Sequence, residues 1–292
     1  QDLAVRMISA LWPWEWWLLG SASPGLLRFV RANDDQLLAA LPRGWLCSHE
    51  RLRRFMVGAA ERGERRWVLA LAAADPTAVD ALKILLAACR AARPGGAGPE
   101  AAKMLLRISA DIHVRDVDGF LAIHVAARSN NAELVEALLE AEASVDDEAN
   151  DMHRHKPLAV AAAGDCEDVC RTLLGKRAGV NALDRNGMAP MALASAAGAV
   201  GAMKLLLAAG ACANATTSGA HSPLHSAVRA RQPACARLLL EAQADVNHEC
   251  AFSGNTTLHV TCRGCQVEMA KLLLVHRAEP NSVNQQGQTP LG

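Results

Sequence analysis

Three histidines stand in near-identical contexts: Leu121-Ala122-Ile123-His124, Ser222-Pro223-Leu224-His225 and Thr256-Thr257-Leu258-His259. Imidazole ligates transition metals and moves protons near neutral pH, so the set invites a metal or acid–base reading. Cys262 and Cys265 form a CxxC pair, but a structural zinc site needs two further ligands at suitable spacing. His248 and Cys250 are near in sequence and belong to the preceding turn. Cys166 and Cys170, four residues apart on helical sequence, can share one side and read as packing thiols. Asp146, Asp147, Glu148 and Asp151 make an acidic turn whose spacing does not match a calcium loop; it reads as a solvated turn, or as bait for a basic partner. Pro94-Gly95-Gly96-Ala97-Gly98-Pro99 lacks the Lys-Ser/Thr and the preceding strand of a phosphate-binding loop, so it reads as a flexible connection. Nucleophile elbow, kinase signature and HExxH are all missing from the sequence. No catalytic, cofactor or metal site is therefore expected in this chain.

The elements that must carry these residues repeat. A leucine doublet recurs at Leu138-Leu139, Leu173-Leu174, Leu206-Leu207, Leu239-Leu240 and Leu273-Leu274, a period of 33 to 35 residues. Upstream of each doublet lies a turn motif: Leu121 to His124, Lys156-Pro157-Leu158-Ala159, Ala189-Pro190-Met191-Ala192, Ser222 to His225 and Thr256 to His259, with a last one at Thr289-Pro290-Leu291-Gly292. Two marks in phase over this length imply stacked supersecondary units. The unit spanning 184 to 214 shows the grammar. Asp184 to Gly187 is a turn, Pro190 opens a helix in its first turn, Gly198 ends it, and a second helix carries Leu206 until Gly210 caps it.

The turn motif and the caps resemble those of ankyrin repeats, clearly over 118–292, with Ser222-Pro223-Leu224-His225 and Ala244-Asp245-Val246-Asn247 close to the family pattern. The unit at 150–181 departs from it, with Ala159 where His is usual. The resemblance implies an all-α, ankyrin-type helical repeat solenoid of about eight helix pairs with short β-turn fingers. It implies a structural role for His124, His225 and His259, each ring bonding backbone between adjacent units, and it puts Cys262 in the slot of a small buried alanine. His153, His155 and His221 fall on turns, as single exposed residues suited to surface recognition. The context of Asn247 resembles sites of asparaginyl hydroxylation; the competing reading is an Asn that closes the turn between repeats through its side chain.

Upstream the repeat is degenerate. Val57 to Leu71 aligns without gaps on His124 to Leu138, and Leu26 to Leu41 is a further candidate. An irregular unit follows, with a helix expected over about Thr77 to Ala92, the Pro/Gly loop at 93–99, and a second helix over Ala101 to Ile108 with the doublet Leu105-Leu106. The expected organisation is a Trp-rich segment at 1–25, degenerate repeats at 26–117, and regular repeats at 118–292 with the last truncated. The start at Gln1 and the stop at Gly292 read as cropped or processed ends. Trp12, Trp14, Trp16 and Trp17 serve either as a hydrophobic cap or as an anchor on a partner or membrane edge. Glu50 to Arg66 holds six Arg against three Glu, read as a solvated, internally paired helix face.

Lys plus Arg and Asp plus Glu number 30 each, so no net field draws a polyanion and nucleic acid is not an expected partner. Aromatics are 3% of residues and no run of 18 apolar residues exists. Membrane contact is expected only indirectly or through the Trp-rich start. Nine cysteines without a regular framework favour a reducing intracellular compartment, the cytoplasm or an organelle entered with a leader since removed. What the resemblance implies is a non-catalytic scaffold or adaptor that binds protein through its fingers and concave helix face, within a hetero-complex. The alternatives are an accessory structural subunit anchored by the Trp-rich start, or the substrate-targeting arm of a ubiquitin-ligase adaptor or signalling protein with its effector outside this chain. The matching turn positions are Arg115, Asp118, Phe120, His153, Arg154, Arg185, Met188, Thr217, His221, Phe252, Asn255 and Gln286.

Overall fold

The computed structural model describes residues 111–217 and 221–292, together with the helical residues Leu85, Leu86, Cys89, Ala102, Lys103, Leu105 and Leu106. The Trp-rich segment, the basic stretch at 50–66, the Pro/Gly loop and the two upstream repeat candidates lie outside the described residues. Five complete helix pairs occur among those described: α1 (Ala122–Arg128) with α2 (Ala132–Glu140), α3 (Pro157–Ala163) with α4 (Glu167–Gly175), α5 (Pro190–Ala197) with α6 (Val200–Ala208), α7 (Pro223–Arg229) with α8 (Pro233–Glu241), and α9 (Thr257–Arg263) with α10 (Val267–Val275). Among the described residues no strand forms, beyond one antiparallel bridge between Arg115 and Leu121.

By its internal contacts the chain divides into two compact units, 1–117 with 121–143, and 118–120 with 144–292. In the first, α1 packs on α2, and Leu105 of the irregular unit is fully buried while Leu106 is half-buried. In the second, the four pairs stack in chain order as an all-α solenoid. First helices pack side by side (α3 on α5, α5 on α7, α7 on α9), and second helices do the same (α4 on α6, α6 on α8, α8 on α10).

Short helices of seven to nine residues are marginal alone, and burial of one stripe holds them. Along each second helix the first leucine of the doublet is fully buried: Leu138, Leu173, Leu206, Leu239 and Leu273 are all 0% exposed. The second leucine is half-buried at Leu139, Leu174 and Leu207, covered at Leu240 and half exposed at Leu274. Alanines fill the first helices, so neighbouring helices approach closely: Ala161, Ala162, Ala192, Ala194 and Ala227 are all fully buried. Pro157, Pro190 and Pro223 open their helices at a position whose N–H has no intrahelical partner.

Each pair needs two left-handed residues, one between the helices and one after the second. The first is Asn130, Asp165, Gly198, Arg231 or Cys265, and the second is Glu142, Arg177, Gly210, Gln243 or Arg277. Only the α5–α6 pair uses glycine at both. An L-residue there crowds its Cβ against its own carbonyl, at roughly 1–2 kcal/mol, part of which glycine returns through its greater freedom in the unfolded chain. Gln243→Gly is therefore expected to stabilise by about 0.5 kcal/mol and Gly210→Ala to destabilise by about 1 kcal/mol, read from urea denaturation. Equal and negligible effects at both positions would remove the backbone explanation.

Candidate functional site in the finger turns and first-helix ends

The histidines of the turn motif are built into the stack. His225 is buried; its Nε2–H donates to the carbonyl of Asn255 in the next finger at 3.1 Å, and its Nδ1 accepts from the Ser222 hydroxyl at 3.0 Å. His259 repeats this, donating from Nε2 to the Gln288 carbonyl at 3.1 Å and accepting at Nδ1 from the Thr256 hydroxyl and amide at 2.9 and 3.2 Å. Both rings are thus neutral tautomers with each nitrogen engaged, and no lone pair is left for a metal. Burial, with His221, His248 and Arg229 nearby, pulls the His225 pKa down to about 4. His124 occupies the same place on α1 and is buried, with Leu121 at the N-cap where the others have a hydroxyl.

The cysteines divide by position. Cys170 and Cys235 are fully buried, and burial pushes the Cys170 thiol up to about 12, the neighbouring Cys166 adding to it. Cys262 takes the expected small-residue slot, yet it is half-buried where its counterparts Ala127, Ala162, Ser195 and Val228 are covered. The physical reason is that no further helix packs on α9 beyond it among the described residues. Burial still raises its pKa, helped by Cys265. Cys265 is exposed and holds the left-handed turn position, so the CxxC pair is one packing residue and one turn residue. Among the described residues no group of three or more His, Cys, Asp and Glu is arranged to hold a metal, and no disulfide forms.

Between repeats runs a side-chain ladder. Asp146 accepts from the Gly179 amide at 3.1 Å, Asn181 from Cys212 at 2.9 Å, Asn214 from Asp245 at 2.8 Å and Asn247 from Glu279 at 2.9 Å. The Asn247 amide also donates to the Arg277 carbonyl at 3.4 Å. Asp146, read from sequence as part of a solvated turn, is thus a rung of this ladder, as Asn247 is.

Each finger is a turn closed by a short polar side chain. Asp184 accepts from the amides of Asn186 and Met188, both at 2.8 Å, Asn284 does so from Gln286 and Gln288, and Thr217 accepts from His221. Successive fingers join through backbone: Asn150 donates to Gly119, Arg185 to His153 and Gln285 to Ser253 at 2.8, 2.8 and 3.1 Å. His155 stands between two carboxylates, 2.5 Å from Asp151 and 3.8 Å from Asp184, whose side chain is 2% exposed. Burial pushes the Asp151 carboxyl up, but hydrogen bonds and charge from His155 outweigh it and hold it below the usual value.

This construction sorts the expected finger residues. Asp118, Arg154, Arg185, Phe252 and Gln286 are exposed at or near the tips, and Arg154 pairs with Glu148 at 2.6 Å. Arg115, Phe120, His153, Met188, Thr217, His221 and Asn255 are half-buried. His153, His155 and His221 are not the isolated exposed rings anticipated from sequence. His153 meets the Asn186 amide at 2.7 Å, and His221 lies 3.6 Å from the Cys250 sulfur and 3.4 Å from the Arg229 guanidinium. They sit low in the fingers because each finger leans on the next. Two features escaped the sequence reading. Met152, 75% exposed like Phe252, is an apolar tip, and the ends of the first helices carry a distinct pattern of charge. The first had a signal, being two residues before the left-handed Arg154 as Phe252 is before Gly254.

Among the described residues no helix is long and apolar enough to cross a membrane. The family model for ankyrin repeats (3 copies) matches residues 84–184 and 158–250, and that for the single ankyrin repeat matches 253–285. The first match begins within the irregular unit that carries Leu105. No curated protein matches the chain. With well over half of its length matched, and with the histidine bridges, Asx ladder and paired helices in phase, this chain belongs to the ankyrin repeat family.

Proposed function

We propose that the chain is a non-catalytic scaffold or adaptor that grips a partner protein, within a hetero-complex, through its finger tips and the exposed ends of its first helices. Ankyrin repeats in general mediate protein–protein interactions and are non-catalytic modules. The observation that supports the reading is a division of labour. His225, His259 and Asn247, tempting as chemical groups, are engaged between repeats, whereas Met152 and Phe252 stand 75% exposed on separate fingers and Arg154 and Arg185 are likewise exposed at finger tips. Aromatic, Met and Arg side chains dominate interface energetics, and a few of them supply most of the affinity.

Cross-linking the full chain to its co-purifying proteins, followed by mass spectrometry, tests this. Cross-links should fall on the fingers and first-helix ends, and Arg185→Ala with Phe252→Ala should each weaken the complex by about 1–2 kcal/mol or more. Cross-links confined to the second-helix side, or affinity indifferent to both variants, would overturn the reading.

A further inference from the structure

The ends of the first helices differ in charge from repeat to repeat. Four residues past the motif position of His225, the chain holds Ala163 on α3, Ala196 on α5, Arg229 on α7 and Arg263 on α9. Arg229 and Arg263 are exposed, and because α7 packs directly on α9 they occupy equivalent places on adjoining helices. Arg231, in the left-handed turn after α7, donates from its guanidinium to the Gly264 carbonyl at 2.9 Å and so lies across the end of α9. Three guanidiniums therefore share one edge. Residues 221–240 and 250–267 contain no Asp or Glu, and among the described residues no ion pair engages any of the three.

Like charges gathered without a carboxylate repel one another, and a partner that brings the opposite charge relieves that cost on binding. We propose that the edge formed by Arg229, Arg231 and Arg263 binds an acidic segment of a partner protein. This deepens the protein-binding reading above and rests on it. The planar fork of each guanidinium takes a carboxylate through two hydrogen bonds, which gives direction as well as attraction. Phe252, exposed in the finger before the start of α9, stands at the opposite end of that helix from Arg263, so the acidic residues meet the guanidiniums and not this apolar tip. A nucleic acid backbone fits less well, because a phosphate track needs a continuous basic stripe. Here the stripe stops at α5: Ala163 and Ala196 replace the arginines of the helix ends, and Asp165 stands where Arg231 does.

Random peptides displayed on phage and selected against the full chain provide the probe. Enriched sequences should carry clustered Asp or Glu. A synthetic peptide of the best sequence should bind about tenfold or more weakly to R229E/R263E, with the neutral R229Q/R263Q in between, when circular dichroism shows both variants folded. Enriched peptides without acidic bias, or bound equally by both double variants, would overturn the proposal. If such peptides are instead lost with Arg185→Ala, the general protein-binding reading stands and the acidic-partner inference alone falls. Failure to enrich any peptide over a heat-unfolded control overturns both. A short oligothymidylate that binds more tightly than the best peptide would replace the acidic segment with nucleic acid.

Discussion

Replacing Leu206 by alanine is expected to cost about 2–5 kcal/mol, the range for a fully buried leucine whose surroundings only partly collapse. Leu206 is 0% exposed, on the second helix of an interior pair of the second unit, with α4 and α8 packed on either side of α6. Ala202, one turn earlier on α6, and Ala194, on the paired helix α5, are also fully buried, and alanine has no rotamers with which to fill a vacated space. The loss should spread beyond its own repeat, because stability in an array is a sum of intrinsic and nearest-neighbour terms. Leu207→Ala is the control: its side chain is half-buried, and its loss should be clearly smaller. Urea denaturation followed by circular dichroism measures both. A loss below about 0.5 kcal/mol for Leu206→Ala would mean that the doublet is not core.

Lowering the pH from 6.5 to 4 is expected to remove about 3 kcal/mol through His225 alone. The folded-state pKa, about 4, lies below the unfolded value of 6.5, so in this window the unfolded chain binds a proton that the folded chain refuses. Unfolding is then favoured as pH falls, and the contribution is complete once the pH passes below the folded value. The cause is geometric. The ring is buried, both nitrogens are committed to Asn255 and Ser222, and a second proton would put a positive charge in that buried place with His221, His248 and Arg229 close by. Asp151, with its lowered pKa, adds a loss only at more acid pH, below its ordinary value of 3.8. Denaturation midpoints of the wild type and His225→Gln across pH 7 to 4 check this. An equally steep fall in the variant would place the proton elsewhere.

The repeat was legible because it is written in local terms. A buried leucine every 33 to 35 residues, a proline or threonine at the helix start and a polar residue at the finger are constraints that each unit satisfies within itself or against its neighbour. The same logic identified His225, His259 and Asn247 as structural, since a group recurring at the repeat period serves the repeat. Exposure was harder to read. Met188, Thr217, His221 and Asn255 occupy turn positions as Phe252 and Gln286 do, but one finger leans on the next and half-buries the first set. Cys262 went the other way, in a slot buried in the other repeats, with no further helix packed on α9 among the described residues.

By itself the sequence determined the family, the phase of the helices, the leucine core and the structural duty of the repeated polar groups, because these depend on contacts between residues close in the chain or one repeat apart. Only the tertiary structure decided which left-handed positions are held by non-glycine residues and which tips project. It alone placed Arg229, Arg231 and Arg263 on one uncompensated edge. The reason is that residues a full repeat apart become neighbours only when α7 packs on α9, and solvent exposure is a property of that packing rather than of any single residue.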